Sequence, residues 1–549
     1  MSLWLTLTNL AALASGIAAH VFVFRHGEWD TTTPKIFVFY ASLLAGGLLA
    51  SYISLTSPLG QLLPFILTPK TVLQAAACHF TGLYSSMLVY RAWLHRLSSY
   101  PGPFLARLTN FYITARSVKK LHLYEEVRKL HAQYGDYVRI GPSELSIADP
   151  EAVKAIYGSQ SPTIKGPWYT LLEPRVNLFM TRDKQEHARR RKIWDQAFTT
   201  KAIQGYDHRI TKAIHQLLDA IEKYKGQPFD VTRWFNYFVF DVMEDLAFNR
   251  SSNMLGREED GYVFKTIRGD MYNIAFFSHI PWLLTLVKRT PILNRNYLEF
   301  MAYIQKLIDE RSQKEPALPD IFSPILAAFR KSAQTKQDRL NFHADAQLIV
   351  IAGSDSVAAA VTHVFYHLAW DPELVKRLQA EFDALPSLEH DHLINVPLLD
   401  AVIYETMRLH PPVMSGTQRM TPPEGLQIGE RWIPGNTIVQ VPNYTVFRDE
   451  RSFVHAEEFI PERWTTKPEL IKDKSVYIPF NIGPYACIGK RLAMLELRRV
   501  IAEILHRYDL TVAPGQTKEM FLDGKEDTFT TVSAPLPVIF RDRVRTEKV

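Results

Sequence analysis

Cysteine is nearly missing from this chain, with Cys78 and Cys487 the only two in 549 residues. Two thiols cannot build a disulfide framework, and their scarcity fits a reducing compartment for the bulk of the protein. A strong charge imbalance is missing too. The 63 basic and 57 acidic side chains leave a net charge of +6, spread along the chain, and no basic block is interleaved with aromatics. That sets aside a nucleic-acid surface. There is no low-complexity tract, no internal repeat, and no glycine-rich flavin or nicotinamide fingerprint.

Charge is also absent from long stretches of the first ninety residues. None occurs between Ser2 and Phe24, from Ile36 to Pro69, or from Thr71 to Tyr90. The first two runs are long enough to cross a hydrocarbon layer of roughly 30 Å. The third contains Gln74 and His79 and is weaker. A secretory signal would need a basic leading region and a cleavage site, and would leave the later runs unexplained. Residues 1–100 are therefore expected to form a membrane anchor of two or three transmembrane helices. Arg91 and Arg96 at its end place the following residues on the cytosolic side, and three spans would put the N-terminus in the lumen. Pro101-Gly102-Pro103 is a stiff boundary, with a soluble domain expected over 101–549.

What is present beyond that boundary reads as mainly α with a small β portion. "LYEEVRKLHAQYG" predicts an amphipathic helix ending at a glycine, and "YVRIGPSELSIAD" alternates like a hairpin. Helices are predicted over Asp207–Tyr224, Tyr297–Lys314 and Ala344–Leu368. Another opens at "DPELV", where aspartate caps and proline starts it. The β pattern returns near "LQIGERWIPGNTIVQVPNY".

The second cysteine lies in "FNIGPYACIGKRLA". Cys487 is open to three readings: an inert buried thiol, a nucleophile, or a metal thiolate. Gly483 and Gly489 flank it and allow close backbone approach to a flat partner. A helical pattern follows at once, so the sulfur sits before a helix N-terminus, where thiolate is favoured.

Phe480-x-x-Gly483-x-x-x-Cys487-x-Gly489 resembles the haem-binding signature of the cytochrome P450 family, and the multi-span anchor looks like that of some fungal members. The resemblance implies haem b with Cys487 as axial thiolate of the iron, which favours O–O cleavage. Where many members carry Arg or His to pair a haem propionate, this chain has Tyr485, so that charge must come from other residues. Further segments match in the family's order. Glu405-x-x-Arg408 in "YETMRL" and Arg463 in "PERW" correspond to the charge network that fixes the haem-binding core. "AGSDS" resembles the oxygen-binding groove, with Gly353 providing a helix kink, Asp355 a proton path, and Ser356 a hydroxyl in place of the usual threonine. His187 and Arg191, in "EHARRRKIW", stand where the family binds a propionate, and Arg419 is a weaker candidate.

The resemblance implies a monooxygenase inserting one atom of O₂ into a lipophilic substrate by hydroxylation or epoxidation, in secondary metabolite biosynthesis by analogy. Alternatives are a haem-thiolate isomerase, dehydratase or peroxygenase, and a non-catalytic haem-binding membrane protein. Electrons would come from NADPH-cytochrome P450 reductase, and the setting would be the endoplasmic reticulum membrane with a cytosolic catalytic domain. The pocket is expected from Ser161–Arg182, Met271–Ile292 and the residues after Arg408. "FFSHIPWLLTLV" could dip into the bilayer surface with Trp282 at the interface.

Overall fold

The computed structural model describes residues 2–56, 67–316, 318 and 320–544. By contacts the chain divides into two units. The first comprises Met1–Thr114, Arg139–Glu144 and Phe277–Tyr297, and the second the remainder.

In the first unit the three uncharged runs form helices α1 (Ser2–Ala19), α2 (Thr33–Thr56) and α3 (Pro69–Val89). The stretch 57–66 of the second run lies outside the described residues. With their flanks, all three are long and apolar enough to cross a membrane. His79, one of the residues that weakened the third run, joins them. Its ring meets Ser15 Oγ of α1 at 2.8 Å and the Tyr40 hydroxyl of α2 at 3.2 Å. A polar group among apolar helices is tolerated when partners satisfy it. Backbones of α1 and α3 touch at Gly16 and Gly82, where an added Cβ would lie 1.9 Å from the His79 carbonyl and 2.1 Å from that of Leu13.

Pro101-Gly102-Pro103 is pinned rather than loose. The Pro101 carbonyl accepts from the Arg139 amide at 2.8 Å, and the buried Arg139 guanidinium donates to the carbonyls of Leu97, Arg91 and Pro142. The predicted hairpin forms as strands Tyr137–Gly141 and Glu144–Ile147.

The second unit is mainly helical. The helices that build its site are α4 (Lys184–Asp195), α5 (Val231–Phe248), α6 (Lys336–Ala369), α7 (Pro397–Leu409) and α8 (Lys490–Arg507). Long and apolar though α6 is, it is a core helix with most of its length buried. It starts a good two turns earlier than its apolar pattern, because Thr335 and Asp338 form a reciprocal cap. The helix predicted over Asp207–Tyr224 spans Thr200–Lys223, and that over Tyr297–Lys314 spans Arg295–Ser312. "DPELV" opens Pro372–Asp383, with the Asp371 carboxylate accepting from the Leu374 amide. In the β portion, Ile164–Lys165 pairs antiparallel with Arg419–Met420, which sets Lys165 opposite Arg419. A second hairpin, Glu526–Thr528 with Thr530–Val532, carries Phe529 at its turn.

Candidate active site

The charge network comes first, because it fixes the loop that carries the cysteine. Glu405 and Arg408, one turn apart on α7, are fully buried and joined twice, at 3.0 and 2.8 Å. Arg463 donates to the same Glu405 carboxylate at 2.9 Å. The Trp464 indole N–H and the Ile460 amide also donate to it, at 2.9 and 3.0 Å. Arg408 donates onward to the carbonyls of Phe447, Ala456 and Glu458, and Arg463 to those of Val454 and His455. Buried charges are costly unless every lone pair and proton finds a partner, and here the partners are backbone carbonyls that brace a long irregular segment. Trp464 was invisible to spacing arguments.

After that segment, Gly483 adopts φ +69° and an added Cβ would lie 2.4 Å from the Tyr157 carbonyl, so only glycine fits. Gly489 differs, with ordinary φ −79° and no atom nearer than the Cys487 sulfur at 3.9 Å. The Cys487 amide donates to the Phe480 carbonyl at 2.8 Å, closing the loop. The sulfur is surrounded by protein yet accessible, so it faces an internal cleft. Burial raises its pKa. The Gly489 and Lys490 amides at the start of α8, and the nearby Arg191, act in the opposite direction.

Of the consecutive arginines on α4, only Arg191 reaches this loop. Its guanidinium donates to the Ala486 carbonyl at 2.7 Å and to Asp195 at 2.9 Å. Arg189 pairs with Glu186, and Arg190 with Asp345 of α6. His187 is buried with its ring edge against Tyr485, 4.7 Å between centroids. Burial and the surrounding cations hold its pKa down at about 3, so it is neutral.

Tyr485 itself is ringed by cations. Lys165 Nζ lies 4.6 Å from its ring centre and the Arg419 guanidinium 4.8 Å. Both residues are buried, and neither meets a carboxylate among the described residues. The Tyr485 hydroxyl and Arg419 Nε are buried without a partner. Lys165 donates to the Phe179 carbonyl at 2.6 Å, while burial and the neighbouring Arg419, Arg190 and Arg191 push its pKa well down. Buried positive charge with orphaned donors fits an anionic group such as a pair of carboxylates. Sequence reasoning missed Lys165. The pairing of its two-residue strand with Arg419 is what brings it here.

Helix α6 runs unbroken through Gly353, whose missing side chain makes room for Met243 of α5, 2.4 Å from where a Cβ would be. Ala352 and Ser356, one turn apart, are accessible in otherwise buried surroundings, and Ser356 Oγ donates to the Ala352 carbonyl at 3.1 Å. The Asp355 carboxyl is buried and turned elsewhere, 3.5 Å from the Thr530 hydroxyl. Burial raises its pKa against Arg268 and Thr530. The turn residue Phe529, at φ +83°, stacks on Trp168 at 4.7 Å and packs against Phe179.

The sequence model of the cytochrome P450 family matches residues 101–540. The chain belongs to the cytochrome P450 family. It is 49% identical over 477 residues to the cytochrome P450 monooxygenase orf5 of Eupenicillium brefeldianum, covering 87% of this chain and 98% of that protein. Over 536 residues it is 45% identical to the cytochrome P450 monooxygenase FCK2 of Fusarium pseudograminearum, covering 96% of each. The tryprostatin B 6-hydroxylase of Aspergillus fumigatus is 32% identical, covering 96% of this chain and 95% of that protein. This P450 is a monooxygenase enzyme, and its family is haem-thiolate.

Proposed function

We propose that this P450 is a membrane-anchored haem-thiolate monooxygenase that hydroxylates or epoxidises a lipophilic aromatic substrate in secondary metabolite biosynthesis. The observation that carries the reading is the Cys487 sulfur, held at the start of α8 under two amides and open to an internal cleft. Haem b, when bound, supplies an iron centre that activates O₂.

The protein's own groups divide the remaining work. Cys487 would ligate the iron as thiolate, favoured by the Gly489 and Lys490 amides against the effect of burial. Arg191, which also fixes the loop through the Ala486 carbonyl, would hold the propionates with His187 beside it, together with Lys165, Arg419 and the Tyr485 hydroxyl. Phe480, Gly483 and Gly489 would shape the loop against the macrocycle. Ser356 would present its hydroxyl beside the oxygen, turning away from the Ala352 carbonyl. Asp355, raised by burial, would hold a proton and pass it along Thr530 and Ser356. The aromatic wall of Trp168, Phe179 and Phe529 would orient a flat apolar substrate and exclude water. A relative named tryprostatin B 6-hydroxylase supports hydroxylation.

Electrons would come from NADPH-cytochrome P450 reductase, meeting the exposed Lys490 and Arg491 at the start of α8. The helices α1 to α3 would anchor the enzyme in the endoplasmic reticulum membrane. Arg25, Lys35, Arg91 and Arg96 gather at the ends that face one side, the cytosolic side by the positive-inside tendency.

The test is the reduced, carbon monoxide-bound difference spectrum of the wild type and Cys487→Ala. A strongly red-shifted Soret band in the wild type alone is expected. Its absence from folded, haem-supplemented wild type would overturn the ligand and the oxygenase reading together. Turnover needing neither O₂ nor NADPH would favour isomerase chemistry instead.

A further inference from the structure

The aromatic wall includes Phe179, which ends a segment without regular structure of its own. Residues 174–179 lie in no helix or strand, so no ladder takes up their peptide groups. Side chains take them up instead, from three directions.

The first set projects from α6 at intervals of four residues, so Gln337, Asn341 and Asp345 share one helix face. Gln337 Nε2 donates to the Pro174 carbonyl at 2.8 Å. Asn341 Oδ1 accepts from the Val176 amide at 3.2 Å, and Asp345 Oδ1 from the Leu178 amide at 2.8 Å. Four residues of helix advance about 6 Å and two of extended chain about 6.6 Å, so a segment laid along the helix meets these rungs in step. The rungs descend from the exposed Gln337 through the half-buried Asn341 to the buried Asp345. Gln337 Nε2 also donates to Asn341 Oδ1 at 2.8 Å, tying the outer two together.

The second direction is α4. Arg190 pairs with Asp345 at 2.6 Å and donates to the Val176 carbonyl at 2.7 Å. Its neighbour Arg191 holds the cysteine loop through Ala486, so one helix fastens both segments. The third is Lys165, which donates to the Phe179 and Leu178 carbonyls at 2.6 and 3.4 Å. Just beyond, the Phe179 ring meets those of Tyr169, Phe529 and Trp168, with centres 5.2, 5.8 and 6.0 Å away.

We propose that Asn341 and Asp345 are positioning residues that set the ligand selectivity of this P450, by locking residues 174–179 so that the Phe179 ring is held in the aromatic wall. The inference rests on reading that wall as facing the haem cleft. A locked wall favours a flat ring and does not remould around other shapes, since each shift would strand buried amides and carbonyls.

Two measurements on the full-length holoenzyme test this. Imidazole and 4-phenylimidazole both bind ferric haem through nitrogen and differ by one phenyl ring, so the ratio of their affinities isolates what the wall gives that ring. The wild type should prefer 4-phenylimidazole. Asn341→Leu strands the Val176 amide and should cut that preference about five-fold with imidazole affinity unchanged, while Asn341→Asp keeps the acceptor and should restore it. Hydrogen exchange of the peptide covering residues 174–179 should quicken about five-fold in Asn341→Leu, and that of α5, which also packs on α6, should stay as in the wild type. No preference in the wild type, an undiminished preference in Asn341→Leu, no recovery in Asn341→Asp, or exchange that quickens equally in α5 would overturn the lock. Absence of any Soret shift with imidazole in the wild type would instead overturn the haem reading, and the exchange measurement would still decide whether the segment is held from α6.

Discussion

Tyr485 stands two residues before Cys487, where a cationic residue is expected, and two buried cations flank its ring instead. Lys165 and Arg419 approach its ring from strands paired to one another, and His187 closes the edge as a neutral group. If these cations hold the propionates, Lys165→Met removes a charge-assisted hydrogen bond worth roughly 1.5–3 kcal/mol. Haem transfer to apomyoglobin should then accelerate by about ten-fold or more, with circular dichroism unchanged. A transfer rate equal to the wild type would exclude Lys165 from the site. Arg191, one helix away, meets the Ala486 carbonyl and Asp195 beside the same loop and stays a propionate candidate with them.

Between elements, the C-terminal half of α6 meets the end of α7 through three histidines. His363 and His367 are one turn apart on α6, and His410 follows α7, with ring centres 4.6 and 5.2 Å from that of His410. Each retains a buried ring nitrogen without a partner. Burial holds His363 at about 3 and the other two well below the ordinary value, with Lys525, Arg448, Arg408 and Lys518 adding repulsion. The sign follows directly. Below about pH 6.5 the unfolded chain takes up protons that the folded one refuses, so stability falls as pH drops. Each such group contributes about 1.4 kcal/mol per pH unit, and three give up to about 4 kcal/mol per unit. Urea unfolding measured from pH 7.5 to 5 should show stability falling steeply, and His363→Phe should reduce that slope by about 1.4 kcal/mol per pH unit. A slope unchanged by that substitution would remove the cluster from the account.

For the whole molecule, a cut at residue 100 looks natural in the sequence but divides a packed group. Arg139 takes two of its three carbonyl partners from Arg91 and Leu97. A chain beginning at Pro101 should therefore be less stable by about 1–3 kcal/mol than one beginning at Tyr90, because a buried guanidinium loses acceptors. Thermal melting of the two truncations in the same detergent checks this, and equal midpoints would mean that Arg139 finds substitutes.

Sequence alone determined the elements whose chemistry is local. The cysteine loop, the Glu405–Arg408 spacing on one helix face, the capped start at Asp371 and the uncharged runs are all decided by near neighbours. Helix ends were less legible where a cap outside the apolar pattern decides them, as at Thr335. Tertiary structure alone decided which distant groups share a site. Lys165 reaches Tyr485 through strand pairing, Phe529 and Thr530 reach Trp168 and Asp355 from a hairpin near the C-terminus, and Gly353 makes room for Met243. Trp464 and the Ile460 amide complete a carboxylate whose two arginine partners were foreseeable. Each of these depends on contacts between residues far apart in the chain, which periodicity and spacing do not encode.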